Sequence, residues 1–177
     1  MPVSVTTPRG LGRLSAPLRA LVTQVLRGQG RRVGEVAVVI ADDDLLHRIN
    51  AEWRGIDRTT DVISFAYDEN EPDAGELAVR GDVLVSMDRV QVQAKRYRVT
   101  PGAELARLVV HGALHLCGHD HMKAGERRLM RAAEAKAMRA ARPRATELER
   151  VLAPTRRARA TRATKPKSSA RPRRGSR

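Results

Sequence analysis

Four of the five histidines in this chain fall within the short run His111-Gly112-Ala113-Leu114-His115-Leu116-Cys117-Gly118-His119-Asp120-His121. On a helix, residues four apart differ by about 40° around the axis and by one turn along it, so His111 and His115 face the same way. Both imidazoles could then reach one ion. Gly118 is the residue most easily placed at positive φ, so it ends the helix and lets the chain bring His121 back toward the pair. Three neutral imidazoles suit one Zn2+ per chain and leave a fourth position for water. An open position is what metal catalysis needs, and the plainer alternative is a cluster of structural histidines. Cys117 points about 160° away from His115 on the same helix and reads as a buried free thiol rather than a ligand.

The spacing H-x-x-x-H-x-x-G-x-x-H also occurs in zinc peptidases, which carry a glutamate directly after the first histidine as general base. That position here is Gly112. The missing carboxylate counts against a peptidase, and the simpler role of Gly112 is to let a neighbouring strand approach the helix. Leu105, Leu108, Val109 and Leu116 form the apolar stripe of this segment, with the two histidines at its border. The site is expected at the edge of the core, reachable from solvent.

The elements that must position this site follow from periodicity. Leu18, Leu21, Val22, Val25 and Leu26 keep helical spacing, with Ser15 as the expected N-cap and an end near Gly28 or Gly30. Residues 35–41 (EVAVVIA) read as a strand buried on both faces. A second helix is expected from 42–44 to about 53, then strands at 61–67 and 82–86 separated by an acidic loop at 68–75, read as a solvated turn. Helices are predicted over 87–97, 101–117 and 124–141. These give an α+β (mixed α/β) domain with its helices clustered toward the C-terminal half.

The chain has 177 residues, 41% of them hydrophobic, enough for one packed domain but not for two. Aromatics are only Trp53, Phe65, Tyr67 and Tyr97, which argues against a protein that stacks successive bases on aromatic platforms. Formal net charge is +14, and ten of the basic residues with no acid lie in 154–177, leaving +4 for the first 153. Residues 154–177 are therefore expected to be a disordered, arginine-rich tail, read as an arm that contacts RNA with a solvated, dispensable tail as the alternative, and 1–153 a single domain. A single cysteine excludes an intrachain disulfide framework, and the first ten residues lack the features of a signal peptide. No apolar run approaches the ~18–20 residues of a membrane span, so a cytoplasmic protein with no membrane association is expected.

The run from His111 to His121 resembles the signature of the YbeY-type endoribonucleases, bacterial ribosomal-RNA maturation factors. A second stretch agrees, Asn50-Ala51-Glu52-Trp53-Arg54-Gly55-Ile56-Asp57-Arg58-Thr59-Thr60-Asp61-Val62-Ile63-Ser64-Phe65, as does Gly81-Asp82 at the start of the next strand. The resemblance covers about residues 20 to 140 and omits the basic tail. It implies a small, mostly parallel mixed sheet of about four strands, about six helices and a zincin-like histidine helix. The activity it implies is a single-strand-specific, zinc-dependent endoribonuclease in small-subunit (16S) rRNA 3′-end maturation and ribosome quality control. Ribosomal RNA and the small ribosomal subunit would be its partners. His111, His115 and His121 match the zinc ligands, and Arg54 matches the family's functional arginine, suited to binding the scissile phosphate bidentately. His119 stands where a tyrosine is usual and Ala66 where a proline is usual.

The general base is not marked by the sequence. Asp120 is a candidate, although a carboxylate beside the last ligand could equally cap the turn or orient a histidine. Two other readings stay open beside the nuclease: a zinc hydrolase of small phosphoesters, and a non-catalytic ribosome-assembly or RNA-binding factor whose zinc is structural.

Overall fold

The apolar run Val36 to Ala41 forms the centre of the molecule. In the computed structural model, which describes residues 2–67, 78–120 and 123–153, it belongs to strand β2 (Arg32–Ala41). The full order is β1 (Val3–Thr6), a 3-10 turn at Gly12–Leu14, α1 (Ser15–Gly28), β2, α2 (Asp43–Arg54), β3 (Val62–Ala66), β4 (Ala78–Ser86), α3 (Met87–Tyr97), α4 (Pro101–Leu116) and α5 (Ala124–Leu152). The strands make one sheet in the order β1-β2-β4-β3. β1 and β4 run parallel to β2, and β3 pairs antiparallel with β4 along the far edge. This is the expected α+β class with a mostly parallel mixed sheet. Among the described residues the helices are five, plus the 3-10 turn, against the six expected.

Alternation along the strands assigns each side chain to a layer. Val36, Val38 and Ile40 of β2, with Val83 and Val85 of β4, pack into a large core against α1 and α4. Ala41, Leu84 and Ile63 point to the other face, where Leu46 of α2 covers them in a smaller cluster. The result is three layers with α2 alone on one side. On β3 the same alternation sends Val62 and Ser64 toward α4.

Three expectations need correction. β1 was not foreseen: four residues with only Val3 and Val5 apolar give no readable period, and the strand exists because it pairs with Val36–Val39 and buries Val3. Ser15 is not an N-cap, since the 3-10 turn runs directly into α1 and Leu14 holds that position. The last helix does not stop near 141 but continues through Pro143 to Leu152. Proline costs one intrahelical hydrogen bond, yet Ala141 and Leu148 are both buried on either side of it, and that packing keeps the helix going. Gly102 accepts this segment closely: a Cβ there would sit 2.3 Å from the backbone N of Glu149, whose carboxylate takes the Gly102 N–H at 2.8 Å. The expected acidic loop at 68–75 and the basic tail at 154–177 lie outside the described residues.

Candidate active site

Helix α4 begins with Thr100, whose hydroxyl accepts the Ala103 N–H, followed by Pro101 at the first turn. This start suits both residues, because the proline lacks the N–H that would be unpaired there. The helix then buries Leu105, Leu108, Val109, Ala113 and Leu116, which fixes its rotation and leaves His111 and His115 on the border. Their ring centroids lie 4.9 Å apart with the planes at 75°. Gly112 faces the sheet, and a Cβ on it would meet Val83 Cγ1 at 2.6 Å. The peptidase base position is thus occupied by the contact between helix and sheet.

Past the helix, Gly118 has φ of +87°, and the Gly118 and His119 N–H groups return to the carbonyls of His115 and Leu114. This left-handed turn is the one expected from the sequence. It sends His119 to Gln29 at the end of α1, with 2.9 Å between His Nε2 and the amide oxygen. His119 therefore ties two helix ends together. Asp120 borders the same cleft as the two histidines. His121, the third expected ligand, lies outside the described residues, and among the described residues no group of three metal-binding side chains is gathered. Cys117 is half-buried, and burial pushes its thiol up to about 11, with Arg31 opposing.

The cleft holds about 720 Å3 and is bordered by Arg54, Asp61, Ser64, His111, His115 and Asp120 among others. Arg54 arrives from the opposite side of the sheet. Asp42 caps α2 by accepting the Leu45 N–H, and Gly55, with φ of +66°, ends the helix directly after Arg54. Buried Asn50 then donates to the Arg58 carbonyl at 2.8 Å, which pins the loop that leads into β3. Four of the five sequence-predicted site residues thus share one cavity: Arg54, His111, His115 and Asp120.

Behind the histidines lies a charged layer that the sequence reading missed. Glu104, only 2% exposed, accepts two hydrogen bonds from Arg107 Nε, and its Oε1 also takes Nη2 at 2.7 Å. Arg107 Nη2 reaches Gln93, whose amide donates to Asp61 at the cleft wall. Arg107 Nη1 stands 3.7 Å from Glu134 of α5, and Glu134 Oε1 stands 3.9 Å from His111 Nδ1. The interaction with His111 holds the Glu134 carboxyl below its usual range against the opposing effect of burial, with Arg107 and His115 adding to it. A signal for this layer exists in the sequence. Positions 104, 107, 111 and 115 put a polar stripe at helical spacing on an otherwise apolar helix.

The two expected zinc ligands that are described, His111 and His115, stand side by side as imidazoles, a donor type that zinc accepts. His111 Nδ1 is buried 3.9 Å from the Glu134 carboxylate, beyond hydrogen-bond distance, so Glu134 acts on this imidazole through its charge. Neutral imidazoles at one turn's spacing match the ion's preference for nitrogen.

Comparison with known proteins covers most of the chain. The family model for endoribonuclease YbeY matches residues 13–142. Endoribonuclease YbeY of Pelotomaculum thermopropionicum is 41% identical over 138 residues, 74% of this chain and 91% of the relative. Endoribonuclease YbeY of Ligilactobacillus salivarius is 37% identical over 126 residues, 62% of this chain and 79% of that protein. A Thermotoga maritima protein solved in solution shares the fold, with a TM-score of 0.56 at 22% identity over 96% of this chain and 99% of its own.

Proposed function

This chain belongs to the endoribonuclease YbeY family, hydrolases acting on RNA, and on that premise we propose a zinc-dependent endoribonuclease that cuts single-stranded ribosomal RNA. Its role is small-subunit 16S rRNA 3′-end maturation and ribosome quality control in the cytoplasm. The observation that carries this reading is the convergence of Arg54 from α2 with His111 and His115 from α4 in one solvent-open cleft.

His111, His115 and His121 are the proposed ligands. With zinc bound to them, these three neutral groups would leave the ion its full charge, and it would supply Lewis-acid chemistry to a water and a phosphoryl oxygen. Arg54 binds the scissile phosphate with its planar fork and offsets the charge that grows on it in the transition state. Asp120, at the cleft edge, is the proposed proton acceptor. The Glu134 charge, 3.9 Å from His111 Nδ1, would favour a cation held on that imidazole. The basic residues of 154–177 add affinity for the RNA backbone without selecting sequence.

The test is to strip the metal with a chelator and return zinc while following both rRNA cleavage and circular dichroism. The proposal expects cleavage to vanish and return while the helical signal changes little. Unfolding on metal loss, with RNA binding but no cleavage by the loaded protein, would assign the zinc a structural role instead.

A further inference from the structure

The chain has four aromatic residues, and three of them meet at one place. Trp53, Phe65 and Tyr67 border a second cavity of about 390 Å3 on the α2 side of the sheet, with Ile49 and Leu84 beneath them. Trp53 is 70% exposed and Tyr67 52%, an unusual display for large rings in a protein so poor in them. Phe65 meets Trp53 edge to face, with centroids 6.3 Å apart, and braces the indole. Tyr67 is held too: its hydroxyl donates to Asp82 and its N–H to the Arg80 carbonyl.

We infer that this aromatic cavity is a subsite for one unpaired nucleobase of the RNA strand whose phosphate is bound at Arg54. The subsite rests on the ribonuclease reading above and extends it to how the strand is seated. Two observations choose a base as the occupant. The cavity adjoins the cleft, since Phe65 borders both and Trp53 immediately precedes Arg54. Asp82 also borders the cavity, so a phosphate is repelled there while a neutral base is accepted, and the backbone is left to Arg54. Every base has a π-face, so stacking on Trp53 is tolerant of sequence and specific for unpaired strands, since a paired base cannot leave its helix cheaply. One such platform agrees with the scarcity of aromatics, which excludes a row of them.

Trp53 is the only tryptophan, so its emission reports this site alone. The experiment titrates the full-length protein with a 2′-O-methyl single-stranded oligonucleotide, which resists cleavage, and with an abasic strand of equal length. Trp53 emission and strand anisotropy are followed together. The base-bearing strand is expected to quench Trp53 saturably and the abasic strand to bind without quenching. Trp53→Ala should weaken the base-bearing strand by about 5- to 150-fold while leaving the abasic strand unchanged, and Trp53→Phe should recover most of the loss. Equal affinities of parent and Trp53→Ala for the base-bearing strand, or equal emission changes with both strands, overturn the subsite while the ribonuclease reading stands. A parent that binds neither strand overturns that reading and the subsite with it. Emission that follows protein concentration without RNA assigns the aromatic face to a second copy of this chain, and Trp53 inaccessible to iodide assigns it to the chain's own residues 68–77; either result overturns the subsite.

Discussion

Glu134 on α5 places Oε1 3.9 Å from Nδ1 of His111 on α4, and 3.7 Å from Nη1 of Arg107 one turn earlier on the same helix. One carboxylate therefore stands between an arginine anchored by buried Glu104 and a histidine on the cleft wall. The arrangement links the interior of the helix pair to the site surface. It also explains why so apolar a helix keeps a polar stripe.

Glu134→Gln should lower zinc affinity by roughly 10- to 100-fold, because the negative charge that Glu134 places 3.9 Å from His111 Nδ1 no longer favours a cation held on that imidazole. Competition against a chromophoric chelator measures this directly. Equal affinity in parent and variant would reduce Glu134 to a packing role.

Arg54→Ala should keep zinc content and fold, since Arg54 is exposed at the helix end. RNA turnover should fall by roughly 100- to 1,000-fold, the scale for removing one donor to developing charge. Arg54→Lys should recover only part, because a point charge lacks the bidentate fork. Parental turnover in the alanine variant would remove Arg54 from the mechanism.

Tyr67 should ionise late. Its hydrogen bond to Asp82, then burial and the charges of Asp82 and Glu35, push the phenol up to about 12. The folded state thus keeps a proton that the unfolded chain loses near 10, so stability from this bond is full below pH 10 and fades as pH rises through about 12. Ultraviolet titration of phenolate should show this late step in the parent and lose it in Tyr67→Phe. A parent with no step near 12 would contradict the Tyr67–Asp82 pairing.

Deleting 154–177 removes ten basic residues. The slope of log affinity against log salt should become shallower, by about 0.7 for each single-strand phosphate that the segment no longer neutralises. Turnover at saturating RNA should persist. An identical slope would make the basic segment a bystander.

Much of this fold could be read from the sequence where one signal dominated. The run 36–41 is apolar on both faces and became an inner strand, and the leucine pattern of α4 fixed the side on which His111 and His115 emerge. Gly118 was recognisable because only its backbone freedom allows the turn. What escaped depends on partners distant in sequence. β1 is held by pairing with β2, α5 outlasts Pro143 because Leu148 is buried, and Glu134 acquires its role only when α5 lies against α4. Arg54 was one arginine among many until the fold placed it across the cleft from His111, and before that only a family resemblance singled it out.

The central claim is that the histidines hold a metal that cuts RNA, and His115→Ala tests it most directly, with zinc content and rRNA cleavage measured on the same preparation. Removing the middle member of a three-ligand set should drop zinc far below one equivalent per chain and abolish metal-dependent cleavage while RNA is still bound. Full zinc occupancy or parental cleavage in that variant would contradict the account.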